Sequence, residues 1–446
     1  MKRGILLVIF IIFIANSNQE NHYIVLGKDY SVVDGVEISE EGVYGVYEKD
    51  NKITISEPGT YVLNGEYNGK FRVKLNDPDG HVTLILDGVT ITNPSGTGLL
   101  ITSAHEIDER KDYNRTNRIT YEQAKNLDFS DVGIRIVLAD DSINTVDASH
   151  DEKHDSSFFS KISMVIEGEK KGNGILNVIG DTEGLDTKKH MLIKGGVINI
   201  SAQDDGINAS KEYGSVVIID GGKLTIHAGI GKEGDGIDSN GMLIINGGEV
   251  ISAGDPKFDA GLDGSAGIFI NGGKVIGVGS SLDGADEADQ PTMNLNFDEE
   301  IAPNSELTII DADGNKLFNF CPQKAGFDPK YELENYKAAI VSHPDFKLDT
   351  VYHIYIDGEQ LGFTGNKHMM PFPTGGNWGP PPGIEQGGWP PGNQEEGGWQ
   401  PGDGAPPGWG NWGNDDTSEE EDGTLKTDFI LTKSMLYFSG ITKVPK

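Results

Sequence analysis

This sequence offers little for disulfide bonding and has few positive charges. Cys321 is the single cysteine among 446 residues, so no intramolecular disulfide can form and stability must come from the core or from metal. Lys and Arg number 36 against 70 Asp and Glu, which gives a formal net charge of -34. This excess of negative charge argues against nucleic acid and anionic membranes as partners, and it makes cations the natural counterpart.

Long apolar runs are also scarce. The one clear run, Ile5 to Ile14, follows Lys2 and Arg3 and is followed by polar residues. A run of this length cannot cross a bilayer as a helix, which takes roughly 20 residues. It therefore predicts a secretory signal peptide over residues 1–17, removed near Asn18. We expect a protein that is secreted, either extracellular or at the cell surface, and not held in a membrane.

Glycine is abundant in this sequence, and aromatic residues are few. The chain has 61 glycines and only 8% aromatics, which suits a turn-rich all-β repeat better than a two-layer globular domain. Four segments align on Gly-Gly pairs at spacings of 26, 26 and 25 residues. These segments are MLIKGGVINISA (191–202), VVIIDGGKLTIHA (216–228), MLIINGGEVISA (242–253) and GIFINGGKVIGV (267–278), with their pairs beginning at Gly195, Gly221, Gly247 and Gly272.

Each repeat contains two apolar strands around the glycine turn and a short third strand of the type Gly-Ile-Asn or Gly-Ile-Asp. Val, Ile and Thr dominate the strands, which opposes a helical repeat. A propeller blade would need about 40 residues. Three strands in 25–26 residues predict one coil of a parallel β-helix, with coils stacked about 4.8 Å apart so that equivalent residues form columns.

The columns expected inside the helix are apolar, and one at the turn is polar. The apolar columns are Leu224, Val250 and Val275, and Ile219, Ile245 and Ile270; the turn column is Asp220, Asn246 and Asn271, for which we predict a structural role.

Weaker copies of the same pattern begin near Ile53, and they are interrupted at 103–131 by a charged segment that we interpret as a loop leaving one coil. The predicted domains are a parallel β-helix over 18–290, a β-rich C-terminal cap over 291–373, a disordered insertion over 374–423 and a returning strand within 424–446. The insertion is rich in Gly and Pro and contains all five tryptophans.

Acidic residues recur in the short third strands, which read EGLD (183–186), DGIN (205–208), DGID (235–238) and, with one residue slipped, DAGLD (259–263). Stacking predicts one approximate column of Glu183, Asp205, Asp235 and Asp259 and another column of Asp186, Asn208, Asp238 and Asp263, with Asp204 beside them. Carboxylates about 5 Å apart repel by roughly 1 kcal/mol in water and about 3 at intermediate dielectric. Ca²⁺ accepts six to eight such oxygen ligands, so we predict a calcium site at these nine residues. A solvated acidic face with diffuse counterions is the alternative.

A second acidic segment, DASHDEKHD (147–155), contains His150 and His154. A transition-metal site, a calcium-binding loop and a solvated loop are all open interpretations of this segment.

Together, the segments GTYVLNG, VTLILDGVTITN, LADDSINTV, the repeated DGI(N/D) with INGG and the closing KTDFILT resemble the extracellular carbohydrate-binding β-helix proteins of polysaccharide-degrading microbes. The resemblance runs from about Tyr23 to the C-terminus. It implies a right-handed parallel β-helix similar to pectate lyases, bound calcium, and affinity for plant cell-wall polymers such as cellulose and pectin. The acids of the family motif fall on Asp205, Asp235 and Asp238, and this sequence departs from the pattern at Asn208 and Asp259.

Binding without catalysis is the function that these observations favour, with no catalytic residues and a monomeric chain. A calcium-dependent polysaccharide lyase is an alternative, because such an enzyme needs a Lys or Arg base near the metal. The candidate bases are Lys188, Lys189, Lys211 and Lys232. A calcium-stiffened surface adhesin is a further alternative. The tryptophans could also stack on sugar rings, although an unfolded loop would lose entropy on binding.

Overall fold

The computed structural model describes residues 21–108, 110–114, 116–231, 233–280, 283–367, 424–432 and 435–445. Within these ranges the protein is almost entirely β-structure, which confirms the all-β prediction. The helical segments there are one short helix, α1 (Tyr121–Ala124), and two 3-10 turns at Phe129–Asp131 and Pro322–Lys324. The predicted signal peptide and the tryptophan-rich segment 374–423 lie outside the described residues.

The strands vary from two to twelve residues in length. The first are β1 (Asn21–Leu26), β2 (Val32–Val33), β3 (Val36–Glu37), β4 (Val46–Glu48), β5 (Lys52–Ile55), β6 (Gly59–Asn68), β7 (Lys70–Lys74), β8 (Val82–Asn93) and β9 (Leu99–Ser103). The central strands are β10 (Ile134–Leu138), β11 (Ile143–Ala148), β12 (Ser156–Ser160), β13 (Met164–Gly168), β14 (Ile175–Gly180), β15 (Glu183–Thr187), β16 (His190–Ile193), β17 (Val197–Ala202), β18 (Ile207–Ala209), β19 (Val216–Ile219), β20 (Lys223–His227), β21 (Ile237–Ser239), β22 (Met242–Ile245), β23 (Glu249–Ala253), β24 (Leu262–Gly264), β25 (Ile268–Ile270) and β26 (Lys274–Gly279). The last are β27 (Thr292–Ile301), β28 (Leu307–Asp311), β29 (Lys316–Phe320), β30 (Tyr336–Ser342), β31 (Val351–Ile356), β32 (Glu359–Gly362), β33 (Gly365–Lys367), β34 (Phe429–Ile430) and β35 (Met435–Lys443).

Three ladders of parallel strands organise the central region. The first ladder runs β8, β10, β13, β16, β19, β22 and β25, and the second runs β8, β11, β14, β17, β20, β23 and β26. These two ladders share the long strands β6 and β8 and belong to one large sheet. The third ladder, β5, β7, β9, β12, β15, β18, β21 and β24, belongs to a second sheet.

The apolar columns predicted from the repeat are present. Leu224 pairs with Val250, which pairs with Val275, and all three are fully buried. Ile219, Ile245 and Ile270 are likewise paired in order and fully buried. Because strand residues alternate between faces, each strand contributes its inward side chains to one continuous core.

The predicted structural column at the turn is also present. Asn246 donates from Nδ2 to Asp220 Oδ1 at 2.8 Å, and Asn271 donates from Nδ2 to Asn246 Oδ1 at 2.9 Å. In the turn that begins with Asn246, the second glycine is Gly248, and its φ is +88°. A Cβ at Gly248 would lie 2.7 Å from the Gly222 carbonyl oxygen. Glycine is therefore required at this turn by both conformation and space.

The segment 103–131 does not leave the body of the protein, contrary to the loop interpretation. Its side chains pack on the outer face of the first ladder, because that face is apolar and would otherwise be exposed to water. The buried residues of this contact are Ile119, Ala124 and Phe129 of the segment, with the adjacent Val132, on one side and Val165, Leu192, Val216, Ile218, Met242 and Ile244 on the other.

The buried carboxylate of Asp108 anchors this segment. Asp108 Oδ2 lies 3.0 Å from His190 Nε2, and its carboxylate also accepts hydrogen bonds from the Arg110 side chain at 2.9 Å. Burial alone would raise the pKa of Asp108, but the hydrogen bonds from His190 and Arg110 outweigh it and hold the pKa well below its usual range. The stabilisation from Asp108 is therefore present at neutral pH and is lost only as the pH falls below that usual range.

Replacing Asp108 by alanine is expected to lower the free energy of unfolding by about 3 kcal/mol at neutral pH, because it leaves His190 and Arg110 without their buried partner. Urea denaturation measures the change. Asp112→Ala, in the exposed part of the same segment, is the control and should change stability little. Equal stabilities for the Asp108 variant and the wild type would contradict the anchoring role.

Antiparallel strands cover the end of the ladders. Strand β30 pairs antiparallel with β26 and with β27, and β27 pairs in parallel with β35 near the C-terminus. Strands β28, β29 and β31 form a further antiparallel group. A separate hydrophobic core lies between these strands and includes Phe297, Tyr352, Phe429 and Phe438. The boundaries proposed for the domains remain predictions.

In the described part of the chain, no helix has the length and apolar character needed to cross a membrane.

Candidate functional site

The third ladder places apolar and acidic side chains on opposite faces. Leu185, Ile207, Ile237 and Leu262 point inward and are fully buried. The next residue of each strand points the other way, and these residues pair in register from coil to coil. They are Asp186, Asn208, Asp238 and Asp263, as the sequence predicted.

The other predicted column, which begins at Glu183, is present in the structure with three of its four predicted residues. Gly184 N donates to the Asp205 carbonyl at 2.9 Å, Gly206 N to the Asp235 carbonyl at 3.0 Å and Gly236 N to the Ala260 carbonyl at 2.9 Å. The residues in line are therefore Glu183, Asp205, Asp235 and Ala260.

Asp259 lies one residue before that column, because DAGLD is one residue longer than DGID. Its Oδ2 accepts a hydrogen bond from Gly234 N at 2.6 Å. Asp204 occupies the equivalent position in an earlier coil, because the next residue, Asp205, is in line with Asp235 and Ala260. Asp259 therefore lies one residue outside the predicted column, in agreement with the one-residue slip of DAGLD in the sequence.

Three carboxylates converge at the end of these columns that is formed by β21 and β24, the last strands of the third ladder. Oxygen atoms of Asp235, Asp238 and Asp263 all lie within 4.8 Å of one another. Asp235 Oδ1 accepts from Ala260 N at 2.6 Å, and Asp238 Oδ2 accepts from Asn240 Nδ2 at 2.9 Å. Asp238 Oδ1 is buried and has no hydrogen-bond partner. An unpartnered carboxylate oxygen inside a group of acids is an unfavourable arrangement without a cation.

Asp283 is a fourth acid at this position, and the sequence prediction missed it. Its carboxyl group lies beside that of Asp263, and burial followed by the charge of Asp263 raises its pKa. The residue follows Gly279, where the periodic pattern ends, so no repeat signal marks it. We refer to Asp235, Asp238, Asp263 and Asp283 as the acidic cluster.

The opposite end of the columns, at β15 and β18, is more fully hydrogen bonded. Asn208 Nδ2 donates to Glu183 Oε1 at 2.6 Å, and Ser210 Oγ donates to Asp186 Oδ1 at 3.0 Å. Lys188 Nζ lies 3.8 Å from Asp186 Oδ2. Glu183 Oε2 is nevertheless buried without a partner. The ammonium group of Lys188 thus offsets part of the negative charge here, whereas no cationic contact is found around the described residues of the acidic cluster.

Burial changes the acidity of these groups strongly. It raises the pKa of Asp205 to about 7 and that of Asp235 to about 9, with neighbouring carboxylates adding to the effect. The pKa values of Glu183, Asp238 and Asp263 are raised as well, in each case chiefly by burial. Carboxyl groups in this environment hold protons near neutral pH unless a cation replaces them.

Oxygen is the only ligand type that the acidic cluster offers. Carboxylate oxygens suit hard divalent cations such as Ca²⁺ and Mg²⁺, and Ca²⁺ tolerates the irregular geometry that side chains from separate coils provide. Asp235, Asp238, Asp263 and Asp283 are the residues that could hold such an ion, and the sequence of the repeat brings the first three together.

The segment 147–155 does not bring its two histidines to one site. His154 Nδ1 lies 2.9 Å from Asp151 Oδ1, and the other oxygen of Asp151 lies 2.7 Å from Lys70 Nζ. His150 pairs instead with Asp181, at 3.2 Å. Among the described residues, the one group of three possible metal ligands is Asp235, Asp238 and Asp263. The transition-metal interpretation of the segment therefore finds no support in the geometry.

The candidate lyase bases are dispersed. Lys188 contacts Asp186 and places its ammonium 5.4 Å from the centre of the Phe159 ring. Lys189 donates from Nζ to the Asp108 carbonyl, in the anchor of the segment 103–131. Lys232 lies outside the described residues. Of the candidate lysines that the structure describes, Lys188 is the one with a side-chain contact to the predicted acidic columns.

Fold and site together define an all-β protein with stacked parallel strands and a converging group of carboxylates on one ladder. Residues 49–309, more than half of the chain, match the family of carbohydrate-binding domain-containing proteins, and the chain belongs to that family. The match includes the whole third ladder and the acidic cluster.

Similarity to individual proteins is more limited. A carbohydrate-binding domain-containing protein of Acetivibrio thermocellus is 27% identical over 173 residues, which are 38% of this chain and 52% of that relative. The chain thus matches about half of the relative's length. A solved structure of a polysaccharide lyase-like protein from C. thermocellum, a gadolinium derivative, is similar with a TM-score of 0.39 and 23% identity, over 57% of this chain and 83% of the other.

Proposed function

We propose that this protein is a secreted, calcium-dependent carbohydrate-binding protein and that the acidic cluster holds the calcium. The observation that carries the proposal is the convergence of Asp235, Asp238 and Asp263, with one oxygen of Asp238 buried and unpartnered. A cation there would satisfy that oxygen and offset the repulsion between the carboxylates.

The fold that we infer for the central region is a right-handed parallel β-helix. Support comes from three ladders in which every pairing from β8 onward is parallel and each coil adds one strand to each ladder. Parallel crossover connections are right-handed in about 98% of cases. In such a helix the acids of successive coils stand above one another on one face, which is how short motifs far apart in sequence build one site.

The polymer that we propose is an acidic polysaccharide, such as the uronate polymers of plant cell walls. A chain with a formal charge of -34 repels a polyanion unless a divalent cation lies between the two. Calcium in the acidic cluster would bind carboxylates of the protein on one side and those of the sugar on the other. Membership of a carbohydrate-binding family supports the polysaccharide as the partner.

A polysaccharide lyase is the second candidate function, and the position of Lys188 beside Asp186 favours it. The base of a lyase must face the sugar carbon from which it removes a proton. Lys188 instead contacts Asp186 and the Phe159 ring, and it is separated along the ladder from the acidic cluster by the coil of Asn208. Binding without cleavage is therefore the function that we propose.

With polygalacturonate and calcium, the protein is expected to co-sediment with the polymer and to release no unsaturated uronate, whereas EDTA should abolish the co-sedimentation. Ultraviolet absorbance of the reaction mixture detects the unsaturated product. A calcium-dependent rise in absorbance that Lys188→Ala removes would establish the lyase instead. Lys223→Ala is the matched control, because Lys223 pairs with Glu249 on the second ladder.

A further inference from the structure

The turn formed by residues 283–286 lies between the parallel ladders and the C-terminal strands, and it supplies Asp283 to the acidic cluster. On the side of the ladders, Asp286 is bonded to Ile268 of β25. Asp286 N donates to the Ile268 carbonyl at 2.7 Å, and Asp286 Oδ2 accepts from Ile268 N at 2.9 Å. The turn is thus tied to the last strand of the first ladder.

On the side of the C-terminal strands, the turn is held by Asn294 of β27. Asn294 Oδ1 accepts a hydrogen bond from Ala285 N at 2.9 Å, and Asn294 Nδ2 lies 3.5 Å from the carbonyl oxygens of Ala285 and Leu436. Both Asn294 and Ala285 are buried, so water does not replace these contacts. A buried N–H group that loses its acceptor is strongly unfavourable, and the turn would have to move to pair it again.

Tyr437 of β35 contacts the turn from the same side. It pairs in register with Asn294, because β27 and β35 are parallel neighbours. A Cβ on Gly284 would overlap the Tyr437 hydroxyl, so the phenol packs directly on the Gly284 backbone. Asp283, Asn294 and Tyr437 also line one cleft of about 350 Å³, including its open mouth, between the last coil and the C-terminal strands. The C-terminal strands are therefore immediate neighbours of the acidic cluster.

These contacts fix each of the three residues that follow Asp283. Gly284 packs on a phenol, Ala285 is bonded to an amide and Asp286 is bonded to β25. The backbone of Asp283 is held beside Asp263 as a result, although two adjacent carboxylates repel each other. Calcium binds oxygens of several carboxylates at once, and a ligand that is already in place loses less entropy when the ion binds.

We propose that the C-terminal strands are part of the calcium site and that Asn294 is a positioning residue, which holds Asp283 in the acidic cluster. The inference rests on the proposed function, since that function places calcium in the cluster. The ion would join Asp283 of the turn to the three acids of the third ladder. Calcium binding and attachment of the C-terminal strands would then stabilise each other, because linked equilibria are reciprocal.

Calorimetric titration of the purified protein with calcium tests the positioning role. Asn294→Leu keeps the size of the side chain but removes the acceptor, and it should weaken calcium binding about tenfold. Asn294→Asp keeps the Oδ1 acceptor and should bind calcium within about threefold of the wild type. Asp283→Asn should also weaken binding about tenfold, and Asn294→Leu should cause no further loss in that variant, because Asn294 acts through Asp283.

Asn144→Leu is the matched control for loss of a buried amide. Asn144 lies in β11 of the second ladder, and its Oδ1 accepts from Gly88 N at 2.9 Å and from Val89 N at 3.1 Å. This variant should have a lower melting temperature than the wild type and an unchanged affinity for calcium. A general loss of stability is thereby separated from a loss of positioning.

Amide hydrogen exchange gives a second measurement. In EDTA, the amide of Ala285 should exchange faster in Asn294→Leu than in the wild type, and Asn294→Asp should restore its protection. Calcium should slow exchange in residues 283–286 and in β35 of the wild type, but not in Asp283→Asn.

The possible failures are distinguishable. If Asn294→Leu binds calcium as tightly as the wild type, or if the substitutions at Asp283 and Asn294 weaken binding independently, the positioning role is wrong and the calcium site stands. If the wild type binds no calcium, or if Asp238→Asn binds it unchanged, the acidic cluster is not a calcium site, and the proposed function fails together with this inference.

Discussion

Replacing Asp238 by alanine is expected to weaken calcium-dependent binding to polygalacturonate by about 30-fold or more, while binding to neutral glucan persists. Asp238 belongs to the acidic cluster and provides the buried, unpartnered oxygen. Removing one partner of a buried charged contact costs about 2–5 kcal/mol, which corresponds to at least that loss of affinity. Asp235→Ala should give a similar result, since its carboxylate converges on the same point.

Asp220→Ala is the control for this experiment, because it removes the same charge from the exposed turn column. It should leave polygalacturonate binding within about twofold of the wild type, since exposed single charges contribute little. Pull-down against both polymers, with calcium and with EDTA, separates the possibilities. Equal losses for both polymers would mean that the metal is only structural, and unchanged polygalacturonate binding in both cluster variants would place the site elsewhere.

Calcium is expected to raise the free energy of unfolding by about 3 kcal/mol when its free concentration is about 100 times Kd. The effect should depend on pH, and the direction follows from the raised pKa values. In the calcium-free protein, a carboxyl group whose pKa is raised on folding contributes stability at low pH and loses it as the pH rises through the folded value, about 7 for Asp205 and about 9 for Asp235.

Calcium competes with the protons on these carboxyl groups, so its stabilising effect should increase with pH and be larger near about pH 8 than near about pH 5. Thermal unfolding at both pH values, with calcium and with EDTA, measures this. Asp238→Asn should lose most of the calcium effect, and Asp220→Asn should retain it. Identical melting temperatures with calcium and with EDTA at both pH values would refute a calcium site in the acidic cluster.

Local features of the site were predictable because they depend on periodic spacing. The Gly-Gly pairs set the length of each repeat, and alternation along a strand determines that Leu185 and Asp186 face opposite ways. Columns of residues such as Asn208, Asp238 and Asp263 follow from those two rules, and the structure places these residues in register. The all-β class follows from the same composition and spacing.

Other features depend on contacts between segments that have no shared period. Asp283 joins the cluster from beyond the last repeat, where no periodic pattern remains. The segment 103–131 has the polar composition of a loop, but its few apolar residues are enough to cover the first ladder. A sequence read one repeat at a time contains no signal for these contacts.

By itself, the sequence determined the β class, the stacking of the apolar columns and the alignment of most acidic residues, because these properties arise from short-range alternation and from a repeat of constant length. Only the tertiary structure decided which acids converge, how deeply they are buried and therefore how far their pKa values rise, because desolvation depends on every neighbour in space.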